Sequence, residues 1–229
     1  MKISIIGLGW FGAPLGKSLK KLGHDISGTT TSDDKLESLK DLRPEILKYP
    51  MMPSENLLKT DIIILNIPPF PEELEWFQSW PFPKDVWMIF ISTTSGNLVH
   101  QEEWVMKHFS RWSIIRFGGL LGGSRHPGKY LSGRKDLKMG KSPVNLIHLD
   151  DTIGLTEKII ADKIMGKMIF GVCDEHSTRE EFYTDYCRRS GLPLPEFDQN
   201  DETVKATVSN EETKLFYEFK RPRLLGTSL

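Results

Sequence analysis

Apolar positions in this chain come in two patterns that follow one another from the first residue. Lys2 to Ile6 is a short β-branched run and reads as a buried strand. Ala13 to Leu22 then sets Leu15, Leu19 and Leu22 at helical spacing with lysines between them, and Gly23 supplies a stop. His24 to Thr30 is a second strand, Asp33 to Leu42 a helix, and Glu45 to Lys48 a short third strand. Asp61 to Ile67 is almost continuously apolar, as a central parallel strand covered on both faces must be. It stops at Pro68-Pro69, which cannot continue a ladder. Val86 to Ile91 is a fifth strand, Gln101 to Phe109 a helix, and Trp112 to Phe117 a sixth strand. Strands alternating with helices predict an α/β domain.

The second half is less regular. Gly118 to Gly128 is a glycine-rich loop carrying Arg125 and His126. Val144 to Leu149 reads as a strand, and Asp150 or Asp151 is placed to cap a helix from Thr152 to Ala161. Lys167 to Cys173 is a further strand. Ser177-Thr178-Arg179-Glu180 has the form of a capping box ahead of Phe182, Tyr183 and Tyr186. Val204 to Val208 suggests a short strand, and Asn210 to Glu218 a short helix. The stretch Pro71 to Pro83, with Trp76, Phe77, Trp80 and Phe82, reads as a helix packed on the sheet by its aromatics. The alternative is an exposed patch for self-association into a homodimer.

Chemistry enters at the first turn. Gly7-Leu8-Gly9-Trp10-Phe11-Gly12 is a G-x-G-x-x-G lying between a strand and a helix, the context a dinucleotide fingerprint needs. Gly7 permits the tight turn, Gly9 lets a pyrophosphate approach the backbone, and Gly12 lets helix and strand pack closely; Trp10 and Phe11 go with them as cofactor-binding positions. The helix N-terminus adds N–H groups and a partial positive charge. A tight strand–helix turn with no ligand is the competing reading. At the end of the second strand, NAD-binding units carry Asp or Glu for the ribose. Here the residues are Thr29, Thr30, Thr31 and Ser32, hydroxyls that tolerate a 2′-phosphate, so NADP is favoured over NAD. Thr31 or Ser32 also suits a helix cap. Pro68 and Pro69 are candidate walls of the cofactor crevice. Ser92-Thr93-Thr94-Ser95-Gly96 follows the fifth strand at the end where open α/β sheets place their chemistry.

Bulk properties narrow the partners to a small molecule. The chain has 229 residues and a net charge of −1, which gives no nucleic-acid surface. No apolar run reaches the roughly 18 residues of a membrane span, and the first residues lack a signal-peptide pattern. Cys173 and Cys187 lack metal-ligand spacing and read as reduced thiols, which points to the cytoplasm. Asp150-Asp151 makes no metal pair without further ligands, so no metal is expected.

Taken in order, these motifs resemble one family. They are the glycine fingerprint, the Thr-rich second-strand end, Ile67-Pro68-Pro69, Ser92 to Ser95, the run Ile115 to Gly128, Val144 to Asp151, and Val208-Ser209-Asn210-Glu211-Glu212. The chain resembles the extended and atypical short-chain dehydrogenase/reductases, the NAD(P)-binding relatives of nucleotide-sugar epimerases and dehydratases. The resemblance implies a doubly wound, mostly parallel Rossmann sheet with a small C-terminal substrate lobe. It puts the dinucleotide-binding core at residues 1–117 and the remaining strands and the lobe at 118–229, in one compact unit. It also implies a cleft roofed by Gly118 to Arg134. Arg125 and His126 on that loop are candidates to hold an anionic substrate group such as a phosphate or carboxylate, and the alternative is a solvated glycine loop with incidental charges. Two departures stand out. Extended members space their glycines G-x-x-G-x-x-G, and the tighter spacing here is similar to the atypical subgroup. The family's Tyr-x-x-x-Lys is missing: none of the five tyrosines has Lys four residues on, and the segment from Ser95 to Ile114 has no tyrosine. Thr93 takes the place of the catalytic Ser/Thr, with Thr94 beside it. The resulting expectation is an NAD(P)-dependent oxidoreductase or epimerase-like protein acting on a small polar metabolite. The alternative is a non-catalytic NAD(P)-binding sensor or regulatory protein. A β-hydroxyacid-dehydrogenase type would need a long helical C-terminal domain that this tail does not offer.

Overall fold

The computed structural model describes residues 1–226. Its strands are β1 (Lys2–Ile6), β2 (Asp25–Thr30), β3 (Pro44–Ile46), β4 (Ile62–Leu65), β5 (Trp87–Thr93), β6 (Arg111–Phe117), β7 (Gly119–Leu121), β8 (Leu146–His148) and β9 (Lys167–Gly171). The helices are α1 (Gly12–Lys21), α2 (Leu36–Leu39), α3 (Glu55–Leu58), α4 (Glu73–Gln78), α5 (Val99–His108), α6 (Leu149–Ala161), α7 (Arg179–Arg189) and α8 (Glu211–Lys214). They group into two compact units, Met1–Arg116 with Thr156–Ile169, and Phe117–Leu155 with the rest of the chain from Phe170.

The first unit is built on a seven-stranded sheet ordered β3-β2-β1-β4-β5-β6-β9. β1 pairs in parallel with β2 on one side and β4 on the other, Ile3 standing opposite both Ile26 and Ile62. β4 pairs in parallel with β5, Ile63 opposite Met88. This is the doubly wound α/β sheet expected. All four residues of β4 are buried, which explains why its sequence shows no alternation. The chain from Asp33 to Leu42 is less regular than its pattern suggests. It breaks into a 3₁₀ turn, the single α-turn of α2 and a second 3₁₀ turn that ends at Arg43 in the left-handed region.

The aromatic run is core. Trp76, Phe77 and Trp80 are buried, and Phe77 stacks toward Trp104 of α5 at 6.3 Å. Edge-on contacts join Trp76 to Trp80 at 4.9 Å and Trp104 to Phe109 at 5.5 Å, the offset geometry ring quadrupoles prefer. The exposed-patch reading of Trp76, Phe77 and Trp80 is therefore set aside.

The second unit departs most from its sequence pattern. The glycine-rich stretch contains a strand: β7 pairs in parallel with β8 in a separate two-stranded sheet. The helix expected from Thr152 starts at Leu149, so Asp150 and Asp151 lie in its first turn and do not precede it. Asp151 is fully buried, and its carboxylate accepts from Tyr217 Oη at 2.9 Å and from the backbone N–H groups of Lys220 at 2.7 Å and Arg221 at 2.9 Å. It is a clamp for the C-terminal segment, not a helix cap. The capping box falls one residue later than expected: Thr178 accepts from Glu181 N, and the Glu181 carboxylate accepts from Thr178 N. Residues 204–208 form no strand. Asn145 substitutes for a ladder, its carboxamide accepting from Val208 N at 2.9 Å and donating to Ala206 O at 3.3 Å. Among the described residues, no helix is long and apolar enough to cross a membrane.

Candidate functional site

The glycine turn lies at the carboxyl end of β1 and is held from both sides. On the β2 side, Gly7 N donates to Thr29 Oγ1 at 3.0 Å and Leu8 N donates to Thr29 O at 2.6 Å. On the β4 side, Asn66 N donates to Ile6 O at 2.9 Å and Asn66 Nδ2 donates to Gly7 O at 3.1 Å. The three glycines are not equivalent. Gly7 has φ +107°, and a Cβ on it would overlap the Asn66 carbonyl. A Cβ on Gly12 would overlap the Gly7 carbonyl. A Cβ on Gly9 would meet nothing within 4 Å. Protein packing therefore explains the first and third glycines and leaves the second unexplained, in open space at the mouth of α1. No side chain caps α1 and its first turn holds no acid, so its N-terminal dipole is left for an anion. This is the fit a dinucleotide pyrophosphate requires.

The residues around the turn sort by burial. Phe11 is 4% exposed, so its ring belongs to the core. Trp10 is partly exposed, and Pro68 and Pro69 are exposed on the loop after β4. At the end of β2, Thr29 is buried with its hydroxyl already bonded to the glycine turn. Thr30 is also buried, and its hydroxyl accepts from Ser32 N at 3.3 Å. Thr31 is exposed and Ser32 partly so.

At the end of β5, Thr93 and Thr94 are part-exposed. The Thr93 hydroxyl lies 3.2 Å from Ser95 Oγ and accepts from Ser95 N at 3.3 Å, while Ser95 Oγ donates to Asn97 Oδ1 at 2.7 Å. Ser92 points the other way. It is buried and donates to Glu102 Oε1 at 2.5 Å. Glu102, 2% exposed on α5, takes a bidentate pair from Arg116 of β6, at 2.8 Å from Nε and 2.5 Å from Nη2. The pair raises the Arg116 pKa through the hydrogen bonds it donates. This ion pair ties α5 to the strand ends on which Thr93 stands. Sequence reasoning missed it, because residues 14 apart on a helix and a strand obey no spacing rule. Asn66 was missed as well, though it had a signal: it is the first polar residue after the apolar run of β4.

Arg125 and His126 belong to the second unit. Arg125 closes a two-residue turn, exchanging backbone hydrogen bonds with Gly122, and its side chain is exposed. His126 stacks on Tyr186 at 3.7 Å and on Phe182 at 5.5 Å, and its Nδ1 accepts from Gly128 N at 3.0 Å. Burial, reinforced by Arg189 and Lys129, pushes its pKa down to about 4. The ring is neutral near pH 7, so what it can offer an anion is a hydrogen bond and not a charge. Cys173 and Cys187 are both free and buried, and burial pushes the Cys173 thiol up to about 12. Among the described residues, no group of three or more His, Cys, Asp or Glu is placed to hold a metal ion.

No family model matches the chain. Its sequence is 26% identical to protein YeeZ of Escherichia coli strain K12, over 96% of each chain. Its structure is similar to a conserved protein of unknown function from Silicibacter pomeroyi (TM-score 0.72, 18% identity, 97% of this chain and 94% of that one). It is also similar to the UDP-glucuronic acid 4-epimerase of Bacillus cereus, solved with UDP-glucuronic acid and NAD (TM-score 0.70, 16% identity, 98% and 95%). The fold is therefore the Rossmann-type fold seen in such NAD-binding epimerases.

Proposed function

We propose that this protein binds a nicotinamide dinucleotide at the glycine turn and acts on a small polar metabolite as an NAD(P)-dependent oxidoreductase or epimerase-like protein. One observation carries the reading: Gly9 stands in open space between two glycines that packing demands. A bound nicotinamide would supply hydride transfer. The chain's own part is positional. The Gly9 backbone and the first turn of α1 receive the pyrophosphate, while Trp10, Pro68 and Pro69 wall the crevice. Thr31 and Ser32 face the ribose end, with Thr30 buried behind them, and the Thr93 and Thr94 hydroxyls donate to a substrate oxygen. Within the second unit, Arg125 is the cation we assign to an anionic group of a small molecule.

A threonine hydroxyl is a poor acid near pH 7, and a positioned general acid is typically worth about 10²–10⁴ in rate. Turnover is therefore expected to be slow. The second reading, a non-catalytic NAD(P)-binding sensor, is favoured by the hydroxyl chain Thr93-Ser95-Asn97, whose members already bond one another.

Calorimetry with NADH and NADPH on the protein and on Gly9→Val tests the first claim, and equal binding by the variant would overturn it. NADPH is expected to bind more tightly, with Thr30→Asp reversing the order; tighter NADH binding by the unmodified protein would refute the NADP preference. Fast NADPH oxidation with a panel of ketones and nucleotide sugars would rule out the sensor reading.

A further inference from the structure

Glu73 is the first residue of α4 and is 1% exposed, yet no cation pairs with its carboxylate among the described residues. It has two hydrogen-bond partners. Gln101 Nε2, in the first turn of α5, donates to Glu73 Oε2 at 3.4 Å, and the backbone of Phe70 supplies the second. A solitary buried carboxyl with only neutral partners is costly in its charged form and cheap in its neutral one.

Its location gives that cost a consequence. The loop from Asn66 to Pro71 starts at the glycine turn, where Asn66 holds Gly7 O, and ends at Glu73. Gln101 lies a few residues beyond the Thr93–Asn97 turn. Glu73 thus joins the loop after β4 to the helix after β5, the two connections that follow neighbouring strands at their carboxyl ends.

We propose that Glu73 is a positioning residue for the crevice at these strand ends: as a neutral acid it ties the loop before α4 to α5, and its ionisation loosens that loop and weakens dinucleotide binding. Only the ligand arm of this proposal rests on the dinucleotide reading above.

The surroundings leave the carboxyl little help in ionising. Residues 66–71 and 94–98 carry no charged side chain. Glu72, just before the helix, and Glu75, on it, are exposed. On α5, Glu102 is engaged by Arg116, His100 lies 3.8 Å from Glu103, Lys107 is exposed, and His108 lies against Trp104 at 5.5 Å. Burial is accordingly the largest influence on Glu73 and pushes its pKa up to about 7, with Gln101 and Phe70 opposing.

The test uses a reporter the chain already contains. All six tryptophans lie within Met1–Arg116, and Trp76 is one turn from Glu73 on α4. Tryptophan emission of the protein without ligand is titrated between pH 5.5 and 8.5 for the wild type, Glu73→Gln and Gln101→Leu. A transition with its midpoint near 7 is expected in the wild type and should vanish in Glu73→Gln, where a carboxamide reproduces the neutral acid. In Gln101→Leu the midpoint should move to higher pH, because the lost hydrogen bond favoured the charged form. A transition surviving unchanged in Glu73→Gln would belong to another group and would overturn the proposal.

Dissociation constants for NADH are then measured at pH 6 and pH 8. The wild-type to Glu73→Gln ratio cancels the titration of the ligand's own groups. It is expected to rise about fivefold, the low end of typical coupling between two sites. A ratio constant with pH would also overturn the proposal. Absence of NADH and NADPH binding at both pH values would defeat the dinucleotide reading instead, with the emission titration still deciding whether Glu73 is the titrating link.

Discussion

At the scale of single residues, Gly9 and Gly12, both at the N-terminal end of α1, differ in what packing asks of them. Gly12→Ala drives a Cβ into the Gly7 carbonyl and is expected to cost about 2 kcal/mol or more of stability. Gly9→Ala meets no protein atom and should melt within about 0.5 kcal/mol of the wild type. Thermal unfolding of the two variants checks this ordering, and a large loss in Gly9→Ala would show that the turn relies on that glycine for its own folding. His126 gives a second prediction. Its folded pKa of about 4 lies below the ordinary 6.5, so between those values the unfolded chain binds the proton and the folded chain does not. His126 therefore lowers stability as pH falls from 6.5 toward 4. His126→Phe keeps the ring stack on Tyr186 and should flatten the melting temperature of the second unit over that range.

At the scale of elements, the C-terminal segment is held by one carboxylate. Asp151 satisfies three donors from Tyr217, Lys220 and Arg221, and the Tyr217 hydroxyl sits where a Cβ on Gly154 would stand. Asp151→Ala leaves those donors unpaired and is expected to cost about 3 kcal/mol or more, with residues 217–221 cut first in limited proteolysis. Thr178→Ala, which removes half of a capping box on the rim of α7, should cost only about 1 kcal/mol. Equal losses would mean that the Asp151 contacts are not the main anchor. Both features mark how far local pattern reaches. An acid before an apolar helical stretch is an N-cap by local rules, and Asp151 has that context. Its actual role depends on a segment about seventy residues downstream, which no window around it contains.

For the molecule as a whole, stability against pH is expected to be shaped by carboxyl burial in the first unit. Glu73 holds its proton up to about pH 7 when folded and releases it near 4.5 when unfolded. The folded state therefore binds more protons between those values, and stability declines as pH rises from 4.5 to 7. The shift corresponds to about 3 kcal/mol of cost that remains above pH 7. Glu73→Gln should match the wild type near pH 4.5 and exceed it at pH 8, read by tryptophan emission during chemical unfolding. A variant less stable than the wild type at pH 8 would contradict the buried, uncompensated carboxylate.

The sequence by itself determined the strands of the seven-stranded sheet, the order in which they alternate with helices, and the glycine turn, but not β7, and the strand it suggested at 204–208 does not form. Each rests on interactions within a few residues: a β-branched run, a 3.6-residue period, a glycine where a turn needs positive φ. It also determined that no tyrosine with a lysine four residues on exists to donate a proton. What only the tertiary structure decided are the pairings between distant positions. Ser92, Glu102 and Arg116 form a buried network, Glu73 meets Gln101 without a cation, and His126 loses its charge between two aromatic rings. The same structure decided which glycine protein packing leaves unexplained, since Gly7 and Gly12 are explained by carbonyls that lie against them and Gly9 is not. Burial and electrostatic partners are set by which elements pack together. A side chain's charge state and chemical use follow from its neighbours in space, and neighbours in sequence specify only the element that carries it.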